Sequence, residues 1–349
     1  MSVEEQIKDI EEELARTKHN KATEHHIGTL RGKLAKLKEE QIKRSSKSKG
    51  EGYGVKKEGD RTAVIVGFPS VGKSTLLNKL TNAESKVAAY EFTTITAIPG
   101  MMEYNNTRIQ LVDLPGIIEE ASQGRGGGKQ IMSVARNADL ILIVLDATKP
   151  QHLAVIKKEL YDAGLRLDVE KPNVMIKKLS KGGINISFTK TLTKTSEETI
   201  KALLREFRLS NAEVIVRSDI SESEMIDAIL ANRHYVSSLV VVNKVDIAKP
   251  RIPNAMFISA EKGKGLNLLK QKIWEKLDVV RIYPREPGKE IIKSKPLIAR
   301  NGITAGDVAK KIRIKEFRYA KIWGSSAKFQ GQKIGEQHKL CDKDIITFY

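Results

Sequence analysis

Eight residues constrain this chain more than any others. Gly67-Phe68-Pro69-Ser70-Val71-Gly72-Lys73-Ser74 fit the pattern G-x-x-x-x-G-K-[ST]. A short buried strand, Ala63-Val64-Ile65-Val66, precedes them, and Thr75, Leu76, Leu77 and Leu80 open a helix after them. In a strand–glycine loop–helix arrangement, backbone N–H groups turn inward on phosphates and the helix N-terminus adds its dipole. Residues Gly67 to Thr75 are therefore expected to hold phosphates. Lys73 should reach the β- and γ-phosphates, as a catalytic as well as a binding group, and Ser74 should hold Mg²⁺. A ligand-free glycine turn does not explain a Gly-Lys-Ser at the head of that helix.

Two more motifs follow in order, each at the end of a β-branched run. Asp113-Leu114-Pro115-Gly116 ends the strand Ile109-Gln110-Leu111-Val112. Its carboxylate can hold Mg²⁺ through water, and the Gly116 N–H can bond a γ-phosphate. Asn243-Lys244-Val245-Asp246 ends the run Leu239-Val240-Val241-Val242. The Asp246 carboxylate suits the N1–H and N2–H₂ edge of guanine, a donor pair that adenine lacks. Asn243 can reach the other polar edge of the base and the phosphate loop, and the Lys244 stem can pack on the ring. Ser259-Ala260, after Met256-Phe257-Ile258, is the expected last base-contacting loop. In this order the motifs favour GTP and GDP over ATP.

Charge points to a second partner. Lys and Arg number 61 against 43 Asp and Glu, a formal +18 in 349 residues. That excess suggests a polyanion, nucleic acid before membrane. Sixteen Lys/Arg against seven Asp/Glu fall in residues 280–349, which carry half of it, +9. With 40% hydrophobic and 30% charged residues the chain can bury real cores, and its length suggests two or three domains. One cysteine, Cys341, excludes an internal disulfide and a Cys-based zinc site, and fits a reducing cytoplasm. The longest apolar stretch, near Leu140 to Leu145, is about a third of a bilayer span, so no membrane partner is expected. The acidic start, Met1-Ser2-Val3-Glu4-Glu5, lacks the apolar core of a secretion signal.

Periodicity sets the organisation. Ile7, Ile10 and Leu14, then Ile27, Leu30, Leu34 and Leu37, mark two helices of an αα-hairpin. Their stripes are too narrow to stand alone, so the hairpin should pack on something. Thr23 is the expected N-cap of the second helix, and His25 and His26 are expected at its surface. Arg44 to Gly54 is a basic linker by composition. Buried β-branched runs, including Leu140 to Leu145, alternate with helices, which implies a parallel sheet covered on both faces. Between Asp146 and Asn243 the chain is too long for one crossover. Strand-like Val174-Met175-Ile176 and Ile184 to Phe188, and a helix with Ile200, Leu203, Leu204 and Phe207, imply an inserted α+β subdomain. The tail shows a capped helix at Thr304-Ala305-Gly306-Asp307 and strands at Tyr319 to Trp323 and Ile345 to Phe348.

The ordered motifs resemble translation-factor-like (TRAFAC-class) GTPases, and detail narrows the match. Phe92-Thr93-Thr94 with Pro99-Gly100, Asp113-Leu114-Pro115-Gly116-Ile117, and Gly124-Arg125-Gly126-Gly127-Gly128 look like the Obg superfamily. Ala15-Arg16-Thr17, Asn20-Lys21-Ala22-Thr23, the insertion and the tail with Trp323-Gly324 resemble the developmentally regulated GTP-binding (DRG) proteins, in an archaeal-type member. That resemblance implies an α/β fold: a Ras-like P-loop GTPase domain with an α+β insertion, an N-terminal helical hairpin and a C-terminal β-grasp (TGS-like) domain. The expected division is hairpin 1–45, linker 46–60, GTPase domain 61–164 and 227–279, insertion 165–226, and β-grasp domain 280–349.

The resemblance further implies a Mg²⁺-dependent, slow GTP hydrolase in the cytoplasm, on or near the ribosome or its RNA, with a dedicated protein partner. By position Thr94 would be the switch threonine that meets Mg²⁺ and the γ-phosphate, with Thr93 the alternative. Ile117 stands where Ras-like proteins carry the water-orienting glutamine, which implies slow hydrolysis. Help would come from K⁺ near Ser70, where some relatives carry an asparagine, from Arg125, or from an external activator. Three rival readings are a guanine-nucleotide-gated docking module with incidental hydrolysis, an ATPase of the same superfamily, and a nucleotide-independent RNA-binding protein.

Overall fold

The computed structural model describes residues 2–18, 20, 23–44, 58–81, 98–113, 135–290 and 296–349. In chain order the elements begin with α1 (Val3–Arg16), α2 (Glu24–Arg44), β1 (Arg61–Val66), α3 (Lys73–Leu80), β2 (Ile98–Tyr104), β3 (Thr107–Asp113) and β4 (Leu140–Asp146). Next come α4 (His152–Asp162), β5 (Leu165–Leu167), β6 (Val174–Lys178), β7 (Ile184–Phe188), α5 (Glu197–Glu206), β8 (Ala212–Val216) and α6 (Glu222–Leu230). The chain closes with β9 (His234–Asn243), β10 (Met256–Phe257), α7 (Leu266–Lys276), β11 (Val279–Pro284), β12 (Leu297–Arg300), α8 (Ala305–Lys311), β13 (Ala320–Trp323), β14 (Gln332–Ile334) and β15 (Ile345–Phe348). It divides into two compact units, residues 1–51 with 161–235 and residues 52–160 with 236–349.

The second unit carries the motifs. Its main sheet runs β10-β9-β4-β1-β3-β2. Strands β1, β3, β4, β9 and β10 are parallel, as their unbroken apolar runs require. β2 corrects the expectation of a purely parallel sheet, because it pairs antiparallel with β3 at the edge. Pro99 lies inside it, and an edge strand tolerates a residue that cannot donate to the ladder. Ile65, Leu76, Leu77, Leu111, Leu142 and Val144 centre the core, with helix α3 on the sheet.

Residues 279–349 form a five-stranded sheet, β12-β11-β15-β13-β14, with β11 and β15 parallel in its middle. α8 lies on one face over Ile282, Ile322 and Ile346. Its capping box is present: Thr304 accepts from the Asp307 N–H, and the Asp307 carboxylate accepts from the Thr304 N–H, worth about 1 kcal/mol. The tail is continuous with the main core, since Val279 and Ile298 join the cluster that Trp274 packs against.

In the first unit β6, β8 and β7 form a sheet backed by α5 and α6 around Ile200, Leu203, Leu204, Val214 and Met225. The hairpin packs on this insertion. Ile27 and Leu30 are buried, and a Cβ on Gly28 would stand 2.6 Å from the Thr199 methyl group. Arg31 donates to the buried Glu222 carboxylate at 2.7 Å, and Lys36 donates to the Glu206 carbonyl at 3.2 Å. The Thr23 hydroxyl turns back into the interhelical turn, accepting from the Asn20 N–H at 3.0 Å and donating to the Lys18 carbonyl at 2.6 Å. His25 and His26 are exposed, with His26 against Glu13.

Candidate nucleotide site

The phosphate loop forms where β1 ends and α3 begins, at the C-terminal edge of the sheet. Two of its glycines are sterically required. A Cβ at Gly67 would lie 2.4 Å from the Val144 carbonyl on the neighbouring strand. Gly72 has φ +91°, and a Cβ there would lie 2.4 Å from the Asn243 amide nitrogen. Lys73 is buried, and its ammonium donates to the loop's own carbonyls, Gly67 O at 3.0 Å and Phe68 O at 3.1 Å. Burial pushes its pKa down, against the opposing pull of Asp113. The Phe68 ring lies tilted against His152, with centroids 4.2 Å apart and planes 37° apart. Pro69, Ser70, Ser74 and Thr75 are exposed, and Val71 is buried.

Asp113, at the end of β3, accepts from the Ser74 hydroxyl at 3.0 Å through Oδ2. Its other oxygen, Oδ1, is buried without a partner among the described residues. Burial raises the Asp113 carboxyl above its ordinary range, while Lys73 and Ser74 pull it down less strongly.

β9 brings the third motif to the same loop. The Asn243 amide donates to the Val71 carbonyl at 2.9 Å, and its oxygen accepts from the Ala260 N–H at 2.9 Å. One side chain therefore ties the phosphate loop to the Ser259-Ala260 loop. Lys244, in the left-handed region at φ +64°, donates to the Ser70 carbonyl and to Asp146 Oδ2, both at 2.7 Å. Asp246 lies 3.4 Å from the Lys262 ammonium. Bonds from the Ser259 side chain, from its own backbone and from Lys262 hold its carboxyl below the ordinary carboxylate value.

Three family profiles match the chain from residue 62 onward. One described as "50S ribosome-binding GTPase" matches residues 62–179, one described as "C-terminal region of MMR_HSR1 domain" matches 181–279, and a TGS domain matches 280–349. An uncharacterized GTP-binding protein of Methanocaldococcus jannaschii is 50% identical over 99% of this chain and 93% of its own length. Human developmentally-regulated GTP-binding protein 2 is 42% identical over 99% of both chains, and the Dictyostelium discoideum homologue 44% identical over 99% of both. The chain belongs to the DRG family. It is a P-loop GTPase-family protein with a TGS tail.

Within this DRG protein the structure brings together Gly67 to Thr75, Asp113, Asn243, Lys244, Asp246, Ser259 and Ala260. Thr93, Thr94, Gly116, Ile117 and Arg125 lie outside the described residues. Asp146 is the residue the sequence reading missed. Burial pushes its carboxyl up, but Lys244 and two bonds from Thr148 outweigh burial and hold it down at about 2. Its position was the available signal, since a carboxylate at the C-terminal end of a central parallel strand sits where open α/β sheets bind ligands.

The oxygen set at the loop fits a magnesium ion. Ser74 and Asp113 offer hard oxygen donors beside the phosphate loop, and Asp113 Oδ1 is buried with no partner among the described residues. Bound there, the ion would neutralise charge on the β- and γ-phosphates. Among the described residues no helix is long and apolar enough to cross a membrane.

Proposed function

We propose that this DRG protein binds GTP and GDP with Mg²⁺, hydrolyses GTP slowly, and acts in translation on or near the ribosome in the cytoplasm. One observation carries the nucleotide half. Asn243 bonds the phosphate loop on one side and the Ala260 N–H on the other, so the phosphate and base subsites are held at one preset separation. Preset donors lose little on binding, which favours affinity. In this reading Lys73 exchanges the loop carbonyls for β- and γ-phosphate oxygens. Ser74 and Asp113 hold Mg²⁺, with Thr94 or Thr93 and Gly116 completing the γ-phosphate contacts. Asp246 reads the guanine N1–H and N2–H₂ edge, and the Lys244 stem lies against the ring. Ile117 cannot orient water, so hydrolysis needs outside help, first from an external activator and second from K⁺ beside Ser70.

The ribosomal half is supported by the description of the profile matched at residues 62–179 and by the +18 net charge. Single-turnover GTP cleavage with and without ribosomes tests it, beside co-sedimentation of the GTP-analogue-bound and GDP-bound forms. Ribosomes should accelerate cleavage, and the GTP-analogue form should sediment preferentially. Nucleotide-dependent sedimentation without cleavage would support the gated docking module instead. The absence of both effects would contradict the ribosomal reading.

A further inference from the structure

We infer that the cavity between the start of β6, the end of α6 and the start of β9 binds a small organic carboxylate. Lys171 and Tyr235 take its acidic group, and an apolar wall takes its body. The inference is independent of the nucleotide reading, because every residue lining the cavity belongs to the first unit.

The cavity has a volume of about 310 Å³. It has room for about ten waters at roughly 30 Å³ each, and it falls at the lower end of the sizes that hold small molecules. Pro172, Val174, Ile176, Ala228 and Ala231 supply its apolar wall. Strand alternation accounts for two of them. Val174 and Ile176 turn towards the core of the insertion and remain only half-buried there. Ala231 closes α6 in the left-handed region, at φ +52°. A side chain is strained in that conformation, and glycine would relax it. The chain nevertheless carries a methyl group at this wall.

The charges at the cavity fall into two groups. Arg166 donates to both oxygens of Asp227, at 2.5 and 2.8 Å, and Arg233 Nε donates to Asp227 at 3.2 Å. Arg233 also lies 3.7 Å from Glu39. Two arginines are thus matched by two carboxylates. Lys171 is left in excess. It is exposed and has neither a hydrogen bond nor an ion pair among the described residues. The Tyr235 hydroxyl likewise has no hydrogen-bond partner among them. Burial, with Asp227 adding to it, pushes this phenol up to about 12, so it stays an O–H donor at neutral pH.

One cation and one neutral donor therefore remain for a ligand. That pair suits an acceptor-only group of single charge, which is what an ionised carboxylate offers. A phosphate dianion would bring a second negative charge beside Asp227 with no cation to meet it. An amine would face Lys171 with like charge. A neutral apolar molecule would leave both donors unpaired, at a cost.

The test is saturation-transfer NMR on the full chain, with benzoate as the probe, benzyl alcohol as its neutral counterpart and inorganic phosphate as a competitor. Benzoate should bind saturably with a dissociation constant on the order of 1 mM, the scale of so small a ligand. Benzyl alcohol should bind at least about tenfold more weakly, and equimolar phosphate should not displace benzoate. Lys171→Gln and Tyr235→Phe should each weaken benzoate binding about tenfold, the scale of one hydrogen bond to a charged group. Neither substitution removes a hydrogen bond or ion pair of the fold, so both variants should melt with the wild type. The absence of saturable benzoate binding would overturn the inference, as would unchanged affinity in both variants. Benzyl alcohol binding as tightly as benzoate, or displacement of benzoate by equimolar phosphate, would also overturn it.

Discussion

The two sets of cations in residues 52–160 and 236–349 are held in opposite ways. At the edge of the main sheet each motif lysine already donates to something fixed: Lys73 to two loop carbonyls, Lys244 to the Ser70 carbonyl and Asp146. On the tail sheet Lys321 faces Lys333, and both rest on tyrosine rings. The first arrangement is preorganised, and its partners are short-range and partly buried. The second is a solvent-facing field awaiting counter-charge. Short buried contacts are weakly screened by salt, whereas exposed charges are screened within about 10 Å at 0.1 M. One molecule thus combines a partly buried, preorganised set of cations with a solvent-facing set.

The sharpest way to break this contrast is at the base. Asp246→Asn removes the carboxylate proposed to read the guanine edge. Losing a charged bidentate pair costs on the order of 3 kcal/mol, about a hundredfold in affinity. GDP binding should fall by that factor while xanthosine diphosphate gains, as measured by titration calorimetry. A variant with wild-type GDP affinity would remove Asp246 from base recognition.

Hydrolysis gives the next largest effect. With Ile117 in place of a water-orienting group, the isolated protein should turn over GTP at on the order of 10⁻⁴ s⁻¹. Turnover in potassium against sodium, with and without ribosomes, for wild type, Ser70→Ala and Arg125→Ala, ranks the sources of help. Ribosomes should give the largest stimulation and potassium a smaller one that Ser70→Ala lowers. Fast turnover by the isolated protein in sodium, unchanged by either substitution, would show that Ile117 does not limit the reaction.

Asp146 tests preorganisation itself. Asp146→Asn keeps the bonds from Thr148 within reach but loses the charge on Lys244. GDP release should quicken about tenfold, the scale of one charged hydrogen bond, while the preference for guanine over hypoxanthine stays, because Asp246 is untouched. The native clasp is depressed from an ordinary 3.8 to about 2. Its contribution to stability is therefore complete above about 4 and is lost as pH falls towards 2. Stopped-flow release of a fluorescent GDP and an acid-unfolding titration would read the two effects. Unchanged release in Asp146→Asn would make the clasp structural only.

Salt gives the most diagnostic difference. Between 50 and 200 mM KCl, GDP affinity should change less than threefold, while association with ribosomes falls by tenfold or more. Equal slopes, measured by parallel titrations, would erase the distinction between the two sites. Surface substitutions suit this comparison better than removal of residues 280–349, because Ile298 and Arg281 of the tail cover Trp274 and the main core.

The placement of the motif residues was legible because it is local. Lys73 and Ser74 follow a strand directly, and Asn243 ends another, so a few consecutive residues carry the placement. β2 was not, because Pro99 and Gly100 argue against a strand unless it lies at an edge. β8 was missed in the insertion, where five alternating residues between two helices give a weak signal. The hairpin's narrow stripe required a partner but could not name one about 170 residues away. The facing of Lys321 and Lys333 depends on register between strands, which no local pattern contains.

The central claim is that the Asn243–Lys244–Asp246 edge, tied to the phosphate loop, selects a guanine nucleotide. Titration calorimetry of the wild-type chain with GDP and ADP in Mg²⁺ tests it most directly. The account predicts GDP at least a hundredfold tighter than ADP. Equal affinity for the two would contradict it.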